Sequence, residues 1–136
     1  MTWTSINAST DSDLTQSACV KKIDKHRQKI LPNTLVTNIR GIGQKLDELF
    51  CVIHNNNVHI ACITETWLND NTTSDSLHMG GYSFYRCDRK DGRRGGGIVC
   101  YVSSYLDIQL LSEFESEAVE SLWLLFRGQR SYVCHV

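Results

Sequence analysis

The chain has 136 residues, 41% hydrophobic and 21% charged, with a formal net charge of -1. That size and balance suit one globular domain and exclude a disordered polymer. Its longest apolar stretches fall far short of the ~20 residues that span a bilayer, so no membrane segment is expected.

The near-neutral total hides a segregated pattern. Residues 21–30 carry five basic side chains against Asp24, residues 84–94 carry five more against Asp88 and Asp91, and residues 107–120 are acidic without a single base. A phosphate backbone would meet a locally basic surface at either basic run; solvated loops of mixed charge explain each run equally well.

The N-terminus has neither an early basic cluster nor an apolar signal core. An intracellular protein, nuclear or cytoplasmic, is therefore expected, and the sequons at Asn7 and Asn71 read as ordinary polar loop positions. Residues 1–32 are rich in Ser, Thr, Asp and Lys without a sustained apolar period, which predicts a polar tail or connector closed by Pro32. Residues 33–136 form the predicted domain.

Residues 35–38 read as a first strand. Leu46, Leu49, Phe50 and Ile53 then recur at spacings of three and four, predicting an amphipathic helix over 44–54 that stops at Asn55-Asn56-Asn57. The apolar run from Ile60 to Ile63 reads as a buried parallel strand that ends on Thr64-Glu65-Thr66-Trp67. A strand-helix-strand unit favours a right-handed crossover, and parallel strands bring their carboxyl ends to one sheet edge. Asn38 and Glu65 would then face one cleft.

An acid at that position suits a hard cation through its oxygens, or serves as a solvated turn glutamate. Asn38 has donor and acceptor atoms for orienting a ligand, and is equally suited to forming a turn before Gly41. Trp67 next to the acid is placed either to stack on a base or sugar or to be partly buried.

From residue 82 the pattern becomes strand after strand, over 82–86, 97–102, 108–111, 121–127 and 132–136, which predicts antiparallel or mixed sheet. Gly128-Gln129 reads as a tight hairpin turn. Arg93-Arg94-Gly95-Gly96-Gly97 would present amides and guanidiniums to phosphate or permit close packing at a strand start. The six cysteines show no C-x-x-C pair and the five histidines no H-x-x-x-H spacing. Buried reduced thiols are expected, and zinc is not.

Five segments occur together in order: Thr37-Asn38-Ile39-Arg40-Gly41; Lys45-Leu46-Asp47-Glu48-Leu49; Ile63-Thr64-Glu65-Thr66-Trp67-Leu68; Gly81-Tyr82 through Arg86, Asp88 and Arg89; and Arg94-Gly95-Gly96-Gly97. On them the chain resembles the endonuclease/exonuclease/phosphatase superfamily, and within it the apurinic-endonuclease-like domain of LINE-type (non-LTR) retrotransposon proteins. The resemblance covers roughly residues 33–136.

It implies an α/β fold, a partial four-layer sandwich with mixed sheets and at least one flanking helix. It also implies metal-dependent hydrolysis of DNA phosphodiester bonds with Mg2+ or Mn2+ as cofactor. Asn38 and Glu65 match catalytic positions, Glu65 being the metal ligand. Arg86, Arg89, Arg93, Arg94 and Trp67 are the candidate nucleic-acid-binding residues, and a reverse-transcriptase domain is the expected companion in a parent protein.

The family also uses a central tyrosine, an Asp-x-Asn motif and a terminal Ser-Asp-His, none of which follows here. Asn69-Asp70-Asn71 lies directly after Glu65, at the wrong place for Asp-x-Asn, and His135 falls in a strand-like segment rather than a Ser-Asp-His. Gly41 stands where the retrotransposon pattern often has Ser. The expectation is a truncated domain, inactive as it stands. The alternative is a non-catalytic nucleic-acid-binding or interaction remnant; a phosphatase acting on a small phosphorylated molecule is a third reading.

Overall fold

The structure is a computed structural model that describes residues 3–5, 32–116, 118–127 and 132–135. Among these, β1 (Trp3–Ser5) is followed by β2 (Thr34–Asn38), α1 (Leu46–Asn55) and β3 (Ile60–Thr64). Then come β4 (Tyr82–Cys87), β5 (Ile98–Ser103), β6 (Asp107–Leu110), β7 (Trp123–Arg127) and β8 (Tyr132–His135).

A short 3-10 turn, Gly43–Lys45, leads into α1. The helix exists because its apolar positions fall on one stripe: Leu49 and Ile53 are buried, and Leu46 and Phe50 pack beside them. Asp47 and Glu48 occupy its first turn, where the helix dipole favours negative charge. Its last turn closes when Asn56 donates to the Val52 carbonyl from both its backbone and its side-chain nitrogen, at 3.2 and 2.8 Å.

The strands form two four-stranded sheets, in the orders β2-β3-β5-β4 and β1-β8-β7-β6. β2 and β3 are parallel, with Asn38 opposite Thr64. The remaining pairs are antiparallel. The predicted crossover unit is therefore present, and the sheet that carries it is mixed.

β3 and β5 are central strands covered on both faces, which explains why their sequences read as continuous apolar runs. Their alternate residues feed two cores. Ala61, Ile63, Val99 and Tyr101 pack under α1 with Leu49 and Ile53. Ile60, Cys62, Cys100 and Val102 pack between the sheets against Leu122, Leu124 and Phe126. Tyr101 is anchored twice, its hydroxyl donating to the Leu77 carbonyl at 2.9 Å and its ring meeting Phe50 edge-on at 5.6 Å. Burial pushes that hydroxyl up to about 12.

The polar composition of residues 1–32 signalled no strand, yet Trp3–Ser5 pairs antiparallel with β8. A three-residue edge strand borrows its stability from the sheet it joins, so it leaves no period of its own in the sequence. The expected turn at Gly128-Gln129 lies outside the described residues. No helix among the described residues is long and apolar enough to cross a membrane.

Candidate functional site

Three loops meet at the carboxyl edge of β2 and β3, and backbone hydrogen bonds tie them together. The segment after β2 donates to the segment after β3, Ile39 N to Thr64 O at 3.0 Å, Gly41 N to Glu65 O at 2.8 Å and Ile42 N to Thr66 O at 3.0 Å. The segment after β3 donates in turn to the glycine run before β5, Thr66 N to Gly97 O at 3.2 Å and Trp67 N to Gly96 O at 3.0 Å. Lys45 braces the first loop from below, its ammonium donating to the carbonyls of Ile39 and Arg40.

The backbone here is bent into conformations that L side chains seldom adopt. Arg40, Glu65 and Trp67 have φ of 49°, 56° and 57°. Left-handed non-glycine residues gathered at a strand end mark a segment held by its surroundings, as functional sites often are. Gly97 shows how tight the fit is: at φ +83°, a Cβ there would stand 2.5 Å from the Thr66 hydroxyl oxygen. Thr66 itself is buried, and its hydroxyl has no hydrogen-bond partner among the described residues.

Glu65 sits at the junction, partly exposed. Its Oε2 accepts hydrogen bonds from the Trp67 indole N–H and the Gly96 backbone N–H, both at 3.0 Å. The indole bond first and then the amide bond hold this carboxyl below its ordinary range; burial opposes them, and the weaker charges of Arg89 and Arg40 add to the lowering. The result is an ionised carboxylate with a fixed orientation. Asn38 lies on the adjacent strand end, exposed, one register position from Glu65.

The four arginines have different fates. Arg86 is drawn inward: it pairs with Asp88 and donates to the carbonyls of Thr72 and Asn69 at 2.9 and 3.0 Å, pinning the loop that follows the site. Arg89 pairs with Glu120, and Arg93 with Asp91, its Nε at 2.7 Å. Arg94 lies over the Trp67 ring, 4.9 Å from its centroid, within the usual range of a cation–π contact. Three of these guanidiniums thus serve neighbouring carboxylates, Arg89 also lending its charge to Glu65, and Arg94 is the one that covers the Trp67 ring.

The amides of the glycine run are engaged by carboxylates as well, Gly96 by Glu65 and Gly97 by Glu120 at 2.6 Å. Glu120 therefore fastens the run from the side of the other sheet while holding Arg89. Nothing local in the sequence singles Glu120 out, because its partners lie 23 and 31 residues away. Lys45 and Thr66 stood inside the segments that carry the resemblance, but their bracing and buried positions have no sequence signal.

Among the described residues no three His, Cys, Asp or Glu side chains come together in a way that would hold a metal ion. Cys62, three residues before Glu65, and Cys100 are buried opposite one another with Sγ atoms 3.6 Å apart.

No protein-family model matches the chain, and no curated protein matches it. Among solved structures it is similar to the AP endonuclease LMAP from Leishmania major, with a TM-score of 0.56 and 17% identity over 68% of this chain. The fold is AP-endonuclease-like. A second similar structure is an AP endonuclease from Archaeoglobus fulgidus, with a TM-score of 0.45 and 19% identity over 73% of this chain. The chain spans 34% and 38% of the lengths of these two proteins. At such identities the likeness is one of fold, since one fold hosts many activities.

Proposed function

We propose that these residues carry the carboxylate side of a phosphodiester-hydrolysing site, and that the parent activity is metal-dependent nicking of DNA by a retrotransposon-type endonuclease. The observation that carries this reading is the Glu65 carboxylate, ionised and fixed at the joint edge of two parallel strands beside Asn38. The AP-endonuclease-like fold supports it.

A single oriented carboxylate fits Mg2+ or Mn2+, which keep most of their waters and take one or two carboxylates from a protein. Glu65 is the residue that would hold the ion. Such an ion neutralises phosphate charge and stabilises a leaving oxygen. Asn38 would orient the phosphate from the neighbouring strand, and Lys45 keeps the loop after Asn38 in place. The sequence has no Asp-x-Asn and no Ser-Asp-His, so it lacks the groups that would order and activate water; each such loss costs about two to four decades in rate. These 136 residues by themselves would leave DNA intact. A reverse-transcriptase domain in the parent, and action in the nucleus or cytoplasm, belong to the same proposal.

Arg94 favours a second reading, binding of nucleic acid without cleavage, because it is the arginine of the four that no carboxylate holds among the described residues. Supercoiled-plasmid nicking with Mg2+, run beside Glu65→Ala and EDTA controls, separates the readings when paired with a DNA-binding titration in salt. The expected result is intact plasmid and, from the same protein, binding of Mn2+ that Glu65→Gln abolishes. Nicking that Glu65→Ala and EDTA both remove would overturn the inactive-half reading. Salt-sensitive DNA binding with no Mn2+ binding would replace the endonuclease reading by the second one.

A further inference from the structure

We infer that Trp67 is a positioning residue for the Glu65 carboxylate, clamping one of its oxygens so that the other is presented outward, and not a platform for a nucleic-acid base. The inference deepens the proposed function and rests on Glu65 being the metal-holding group.

Two donors converge on the same oxygen. The Trp67 indole N–H and the Gly96 amide each lie 3.0 Å from Glu65 Oε2. Among the described residues no hydrogen bond reaches Oε1. The Trp67 amide also donates to the Gly96 carbonyl at 3.0 Å. Glu65, Trp67 and Gly96 therefore form a closed loop of three hydrogen bonds that holds Oε2 in place. A carboxylate with one oxygen saturated by two N–H groups has its remaining lone pairs on the other oxygen, where a hard cation binds.

The indole is itself held in place, as a positioning group requires. Arg94 covers it, 4.9 Å from the ring centroid. Against its six-membered ring stands the backbone of Gly41: a Cβ there would come 3.0 Å from Cε3 and 3.5 Å from Cδ2 and Cζ3. Gly41, at φ +91°, is thus the residue that lets the tryptophan lie down on the loop after β2. This gives the Gly41 departure a physical role, since a serine at 41 would push the ring away and the indole N–H with it. A nucleobase stacking on the face that Arg94 covers would have to displace it. Trp67 remains 38% exposed, which is consistent with its edge reaching the surface.

The test is a solution NMR titration of the full chain with Mn2+, comparing wild type, Trp67→Phe and Glu65→Gln. Phenylalanine keeps an aromatic ring at this position and removes the N–H donor. Loss of an outer-shell partner typically weakens metal binding by 10–100-fold. The expected results are Mn2+ broadening around Glu65 in wild type, affinity about tenfold weaker in Trp67→Phe, and none in Glu65→Gln. In the absence of metal, the Trp67 Nε1–H resonance should move upfield in Glu65→Gln, because a charged acceptor has been replaced by a neutral one.

Wild-type affinity in Trp67→Phe with binding lost in Glu65→Gln would overturn the positioning role and leave the Glu65 reading intact. Wild-type affinity in Glu65→Gln would overturn the metal reading itself. An Nε1–H resonance unmoved by Glu65→Gln would overturn the clamp without recourse to the Trp67 variant or to any metal.

Discussion

Glu65 owes its charge state to neighbours that are close in space. The Trp67 indole, the Gly96 amide and the charges of Arg89 and Arg40 all favour the ionised form, so the folded-state value lies below 4.5. A carboxyl depressed on folding contributes stability that is fully present above its unfolded value and is lost as pH falls through the folded one. We therefore expect the unfolding free energy of wild type to decline below about pH 4.5 more steeply than that of Glu65→Gln. Urea unfolding of both proteins between pH 3 and 7 checks this, and parallel curves would show that the carboxylate gains nothing from its bonds. The spacing Glu-Thr-Trp made Glu65 a candidate from the chain alone. That Trp67 turns back to donate to it depends on the positive φ at both residues and on the space at Gly41, which no local pattern announces.

The strands around the site were legible because their periods are strong. β3 and β5 show the unbroken apolar runs of doubly covered strands, and α1 shows the three-and-four spacing of a helix lying on a sheet. The glycine run leading into β5 was ambiguous between phosphate binding and close packing. Packing dominates in the structure, since Gly97 faces the Thr66 hydroxyl and the amides of Gly96 and Gly97 point at carboxylates. Gly97→Ala would add a Cβ at 2.5 Å from Thr66 Oγ1 and force a left-handed conformation on alanine. We expect it to cost about 1–3 kcal/mol, as strained positions of this kind do, measured by urea denaturation. A loss under about 0.5 kcal/mol, the level of an ordinary surface substitution, would mean that the run is loosely held.

Among the described residues the two sheets leave four edge strands, β1, β2, β4 and β6. β2 has a described partner on one side only, and Val36, on the face shared with the inter-sheet core, is 51% exposed. An exposed apolar residue on an edge strand invites pairing between chains, which a lysine suppresses. Val36→Lys should therefore lower self-association in light scattering while changing the unfolding free energy by no more than about 0.5 kcal/mol; unchanged association would show that this edge is not the sticky one. Fold class, the crossover unit and the two strand ends carrying Asn38 and Glu65 were readable from residue types and their periods, because those signals are local and set by which faces a strand or helix must bury. The arginines are different. Arg86, Arg89, Arg93 and Arg94 look alike along the chain, and their separation into loop anchors, a glycine-run clamp and the cover of Trp67 was decided by Asp88, Glu120, Asp91 and the indole. A guanidinium takes the nearest acceptor or ring that folding brings to it, and for Arg89 that acceptor lies 31 residues away in the chain.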